Sequence, residues 1–184
     1  MSKLRLLNER THEAVKSGHF GVFTQEDLAL MMGDTANQAF LKYLHKAVKA
    51  GVLNRIAVGL YYNPLAGIKT LGVLEHIATL LHWKSFLYIS LESQLSHIGV
   101  ISQIPMKRLT VMTTGRSGET KTPFGVIEFT HTSKDPDSLV DELYFDPEVG
   151  MLRAKKDRAI ADLKRVGRNQ HMLMEGHVDE RKRR

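Results

Sequence analysis

The sequence predicts an α+β protein in two parts, a helical N-terminal module and a mixed α/β domain behind it. Three observations carry that prediction. Apolar residues recur at helical spacing up to Ala50, with Gly18, Gly33 and Gly51 as stops; the long β-rich runs, such as Phe86–Ile89 and Phe124–His131, come later; and the charge changes sign along the chain. Residues 1–63 carry 8 Lys+Arg against 5 Asp+Glu, residues 64–150 carry 7 against 10, and residues 151–184 carry 11 against 5. Both ends are basic and the middle is acidic, a pattern compatible with a polyanion bound by the ends.

With 184 residues, 42% of them apolar, the chain can bury one core in each of two small units. It has no apolar run of about 18 residues, the length of a membrane span, and Met1-Ser2-Lys3-Leu4-Arg5 leads straight into a charged helical pattern. A cytoplasmic protein without a membrane partner is expected. The absence of cysteine excludes a disulfide framework and every thiolate metal site.

Leu4, Leu7, Ala14 and Val15 mark a first amphipathic helix that ends before Gly18. Thr24 followed by Asp27 makes a capping-box-like start for a short second helix through Leu28, Ala29, Met31 and Met32. Asp34 or Thr35 caps a third helix to Ala50, with Phe40, Leu41, Leu44, Ala47 and Val48 on its apolar face. Its other face presents Ala36, Asn37 and Gln38, then Lys42, His45, Lys46 and Lys49. Val52–Ile56 and Leu60–Tyr62 read as two short strands, and Pro64 ends the module.

Two helices, a longer third helix and then a hairpin is the order of a winged helix-turn-helix, predicted for residues 1–63. In that fold the third helix enters the major groove, where amides read base edges and lysines hold phosphates. Small helical units with a hairpin also serve as protein-interaction domains, and polar residues in a first helical turn also serve as caps. Residues 64–70 are expected to be a linker, and 71–184 an α/β domain with a basic C-terminal helix and tail.

In that domain Leu71–Leu81 reads as a packed helix, Trp83 and Phe86–Ile89 as a buried strand, and Ser90 as the cap of a helix running to Gly99. Leu109–Thr114 and Phe124–His131 suggest a β-hairpin around the polar tip 115–121. From Asp146 onward a helix is predicted, with Leu152, Ala159, Ile160, Leu163 and Val166 as its stripe and Arg153, Lys155, Lys156, Arg158, Lys164, Arg165 and Arg168 around it. Arg181–Arg184 is read as a frayed end.

The blocks Ile89–Gly99, Arg108–Arg116, Thr122–Thr130 and Ala159–Lys164, in this order behind a helical module, resemble the AbiEi family of abortive-infection antitoxins over roughly residues 20–168. The resemblance implies a type IV toxin–antitoxin system. Its antitoxin represses its own operon through the N-terminal domain, and the C-terminal domain supports neutralisation of a nucleotidyltransferase toxin. The implied partners are double-stranded DNA of the protein's own promoter, in paired half-sites, and that toxin. The DNA-facing positions would lie on the third helix and the wing; helix geometry makes them Thr35, Asn37, Gln38, Lys42, Lys46 and Arg55.

No catalytic residue, cofactor or metal is assigned. Gly115–Thr122 lacks the second glycine of a phosphate-binding loop, because Thr120 stands there, and it joins strand to strand. Glu119-Thr120-Lys121 matches the carboxylate-x-lysine fragment of metal-dependent nucleases, but the only acid between Ser85 and Glu119 is Glu92, on a predicted helix. A non-enzymatic regulator is therefore the expectation. A stand-alone winged-helix regulator and, behind it, a nuclease are the alternatives.

Overall fold

The computed structural model describes residues 2–102, 107–169 and 171–174. The protein is mixed α+β and divides into two compact units, Met1–Val73 and Leu74–Arg184.

The first unit opens with α1 (Lys3–Lys16), capped by Ser2, whose hydroxyl accepts from Arg5 N at 3.3 Å. Leu7 is buried as its spacing predicts. Thr11 is buried beside it, which the apolar pattern did not mark, because its hydroxyl donates to Leu7 O and accepts from Asn63 Nδ2, at 2.9 and 2.8 Å. A short strand, β1 (Phe23–Thr24), then leads into α2 (Gln25–Met31). Thr24 and Asp27 form the anticipated capping box: each side chain accepts from the other's backbone N–H, at 3.0 and 2.8 Å.

α3 spans Gln38–Lys49. Its cap is Asn37, not Asp34 or Thr35: Asn37 Oδ1 accepts from Phe40 N at 3.0 Å. Two further strands follow, β2 (Asn54–Ala57) and β3 (Leu60–Tyr62). β3 pairs antiparallel with both β2 and β1, in a three-stranded sheet of order β1-β3-β2. The strand β1 was missed because two residues are too few to show an alternation. Leu7, Phe23, Leu28, Phe40, Leu44, Leu53 and Tyr61 make the core of the unit.

Residues 64–70, expected to be a linker, lie on this unit instead. Lys69 N donates to Phe20 O and Lys69 Nζ to Gly18 O, both at 3.0 Å. Asn63 Oδ1 accepts from Leu65 N at 2.9 Å, turning the chain after β3. Gly21, at φ +96°, lets the segment come close: a Cβ there would sit 2.8 Å from Gly67 O.

The second unit contains α4 (Val73–Leu81, which begins at the last residue of the first unit), β4 (Leu87–Ile89) and α5 (Leu91–His97). Then come β5 (Arg108–Thr113), β6 (Gly118–Thr122) and β7 (Gly125–His131). A 3-10 turn (Pro136–Glu142) leads into β8 (Leu143–Asp146), β9 (Met151–Ala154), α6 (Lys156–Val166) and α7 (His171–Met174). The sheet has six strands in the order β6-β7-β5-β4-β9-β8. Pairs β5/β7 and β4/β9 are parallel and the rest antiparallel. Tyr88, Leu91, Leu95, Met112, Leu143, Ala159 and Leu163 form the core that joins this sheet to α5 and α6.

The two long β runs are not a hairpin but parallel neighbours, Arg108 opposite Val126 through Thr113 opposite His131. The supposed tip contains β6, which pairs antiparallel with β7 through a turn at Thr122–Gly125, where Thr122 Oγ1 accepts from Phe124 N at 3.1 Å. As an edge strand β6 can be polar throughout, so hydrophobicity could not reveal it.

Residues 146–154 are not helical. Asp146 ends β8, residues 147–150 turn, and 151–154 are β9, with Asp146 Oδ1 accepting from Glu148 N and Asp146 O from Gly150 N, both at 2.9 Å. Trp83 belongs to no buried strand; it is 73% exposed. Ser90 precedes α5 but does not cap it. Its hydroxyl donates to Asp162 Oδ2 at 2.7 Å, beside Tyr88 Oη at 3.0 Å. The segment Arg181–Arg184 lies outside the described residues.

Candidate nucleic-acid interface

α3 buries Phe40, Leu44 and Ala47 and leaves Gln38, Lys42, His45, Lys46 and Lys49 exposed. Gln38, Lys42 and Lys46 are four residues apart, so they form one row along the helix. No acidic residue stands anywhere in α3, and its last turn carries Lys46 and Lys49, which also complement the negative end of the helix dipole. Before the helix, exposed Thr35 accepts from Asn37 Nδ2 at 2.9 Å, so Thr35 and Asn37 are tied to each other and to the helix end.

This turn is fastened from α1. Lys3 Nζ reaches Asp34 Oδ2 at 2.9 Å and lies 4.7 Å from the centre of the Tyr43 ring, while Tyr43 Oη donates to Lys3 O at 2.9 Å. The Lys3 ammonium, with Thr35 N–H, holds the Asp34 carboxyl below its ordinary range. Nothing in the sequence spacing brings residue 3 to residue 34, so only the fold shows the part Lys3 plays.

The hairpin adds Arg55, exposed on β2, with Nε donating to Ala57 O at 3.1 Å. At its turn Gly59 takes φ +74° and Val58 is 82% exposed. All six predicted positions are therefore exposed, four on or before α3 in a single stretch with Lys46, and Arg55 on the hairpin. The arrangement leaves one exposed amide, a capping amide and a row of ammonium groups, side chains whose chemistry suits base edges and phosphates.

The second unit holds a different cluster. Glu119 stands opposite Glu128 across β6 and β7. Arg108 bridges them, Nη2 to Glu119 Oε2 at 3.0 Å and Nη1 to Glu128 Oε2 at 2.8 Å. Arg168 Nη1 bonds the other oxygen of Glu128, and its Nε and Nη2 grip buried Glu92 at 3.1 Å each, assisted by Asn169 Nδ2 at 2.8 Å. Topology thus brings together three carboxylates far apart in sequence, and guanidinium groups claim all three. Among the described residues no group of acids and histidines is placed to hold a metal ion.

Two more of the basic residues assigned to the helix surface are buried in ion pairs. Arg153 meets Asp146 at 2.5 Å, and Arg158 meets Asp162 at 2.8 Å and Glu142 at 3.0 Å.

No family model matches the sequence, and no curated protein matches it. Among solved structures, the Rv2827c protein from Mycobacterium tuberculosis is similar, with a TM-score of 0.58 and 12% identity over 85% of this chain. It is a likeness of fold. This chain spans 59% of that protein's length. The shared architecture is mixed helix and sheet, and none of the described helices is long and apolar enough to cross a membrane.

Proposed function

We propose that residues 1–63, with the segment folded back on them, act as a winged helix-turn-helix and that the protein is a DNA-binding autorepressor. On this reading α3 is the recognition helix, the β2–β3 hairpin is the wing, and Thr35, Asn37, Gln38, Lys42, Lys46 and Arg55 face the duplex. The observation that carries the reading is the outer face of α3: exposed, without an acid, amide first and lysines behind. The AbiEi-like blocks support a further step, that the protein is the antitoxin of a type IV system and its second unit, non-catalytic, supports neutralisation of a nucleotidyltransferase toxin. Capture of the carboxylates by Arg108 and Arg168 supports the non-catalytic part.

The test is a shift assay with the full chain on its own upstream region and on random duplex, across a salt series. Preference for the upstream region is expected, with affinity falling by about 0.9 log units per log unit of salt for each phosphate neutralised. Equal binding to both duplexes at every salt concentration would defeat the proposal.

A further inference from the structure

Among the described residues the six-stranded sheet ends at β6 and at β8, and these two edges differ. β6 carries Glu119 and Lys121, the kind of charges that keep an edge from pairing with another chain. β8, Leu143-Tyr144-Phe145-Asp146, carries no lysine, proline or bulge, and its one charge is turned back to Arg153. Among the described residues β8 is paired on one side only, by β9. Tyr144 and Phe145 are 38% and 60% exposed on this edge.

Successive strand residues point to opposite faces, and each of these two aromatics lines a cavity. On the Tyr144 side a cavity of about 460 Å³ is bordered by Gln94, Ile98, Lys155, Lys156 and Leu173, with no carboxylate in its lining. On the Phe145 side one of about 250 Å³ is bordered by Trp83, Phe86, Met151 and Leu152, with no Lys, Arg, Asp or Glu. One wall is cationic; the other is mainly apolar and aromatic, with Thr79, His82 and Ser85 as its polar members.

We propose that β8 is a docking edge for an extended segment of a partner protein, which adds a strand to the sheet and alternates acidic side chains toward Lys155 and Lys156 with apolar ones toward Trp83 and Phe145. Backbone hydrogen bonds along the edge supply the attachment, and the two cavities select the alternating pattern. The charge of Lys155 and Lys156 fixes which face takes the acids. This surface lies in the second unit and is independent of the DNA-binding reading.

Trp83 is the only tryptophan of the chain, so its fluorescence reports on the apolar cavity directly. The experiment titrates the full chain with a synthetic peptide of about seven residues, the length of an ordinary strand, alternating Glu with Val and Phe. The expected result is a blue shift of Trp83 emission together with slowed amide exchange over Leu143–Asp146. A peptide with N-methylated backbone at its centre, and one with Lys for Glu, should each bind about tenfold more weakly or worse. Lys155→Glu with Lys156→Glu should reverse the preference between the Glu and Lys peptides. Equal binding of the N-methylated peptide, or shifts without protection of β8, would overturn the proposal. So would a dimer in sedimentation that Phe145→Lys dissociates, since the edge would then belong to a second copy.

Discussion

Asn37 and Gln38 are adjacent in sequence and unlike in role. Asn37 spends its carbonyl oxygen on Phe40 N–H and its amide on Thr35, so Asn37→Ala should cost about 1 kcal/mol of stability, read in urea denaturation. Gln38 has its side chain outward on the first turn of α3, so Gln38→Ala should lose about 1–3 kcal/mol of discrimination between upstream and random DNA with stability unchanged. Lys42→Ala and Lys46→Ala should weaken both duplexes alike and flatten the salt dependence. Lysine variants that changed sequence preference, beside a silent Gln38 variant, would place the reading face elsewhere.

Burial holds His19, stacked on Phe23 at 4.5 Å, and His82, stacked on Phe129 at 3.9 Å, below the ordinary histidine pKa. The unfolded chain therefore takes up protons first, near pH 6.5, and the folded protein resists. Stability from both groups is present above about pH 6.5 and is lost as pH falls through their depressed folded values. The urea midpoint should drop between about pH 7.5 and pH 5, and His82→Phe should reduce that drop, with the ring stack kept. An unchanged pH profile in the variant would remove His82 as a source.

Among the elements, what could be read from sequence was whatever local chemistry fixes. The capping box of α2, the apolar stripe of α3 and the β-richness of β5 and β7 all depend on neighbours within a turn or a strand. What could not be read depends on distant partners. β6 is polar because it is an edge, β9 hides behind Arg153, whose charge is satisfied by Asp146, and Ser90 serves Asp162 instead of its own helix. The exposure of Gln38, Lys42 and Lys46 was legible because position on a helix face follows from period alone; the tie from Lys3 was not. The carboxylate cluster was invisible for the same reason, since strand order decides that Glu119 meets Glu128.

That cluster fixes a property of the C-terminal helix region. Arg168 follows the left-handed Gly167 that ends α6, and from there it neutralises Glu92 and Glu128. Arg168→Ala leaves Glu92 buried without its cation and should cost about 3 kcal/mol, at the low end for a buried pair because Arg168 itself reaches solvent. Arg168→Lys should recover little, since an ammonium cannot bridge two carboxylates as a fork does. Adding Glu92→Gln to Arg168→Ala should restore part of the loss, and equilibrium denaturation would show whether it does. A silent Arg168→Ala would mean the network contributes nothing to folding.

Among the described residues, the cations of the basic C-terminal region divide into those held in ion pairs and those exposed. Arg153, Arg158 and Arg168 maintain the fold, whereas Lys155 and Lys156 are exposed. On the proposed antitoxin reading, Lys155→Glu with Lys156→Glu should therefore impair rescue of cells expressing a nucleotidyltransferase toxin while leaving binding to the upstream region intact. Glu119→Ala and Lys121→Ala should leave rescue intact, and rescue lost only in those two would reopen a catalytic role for β6. Growth curves beside shift assays on the same variants distinguish the outcomes.

The close approach at Gly21 has a practical consequence for anyone dividing the chain. Where Gly67 and Ile68 pass over Gly21, the polypeptide crosses its own earlier course, so a polypeptide cut after Asn63 forfeits the strap that holds Phe20 and Gly18. A fragment ending at Val73 should melt cooperatively by circular dichroism, and one ending at Asn63 should melt earlier and more broadly. Gly21→Ala in the longer fragment should reproduce the defect of the shorter, because the added methyl and the positive φ both push the strap away. If those melts come out as expected, the piece to graft onto another effector is 1–73, the first compact unit.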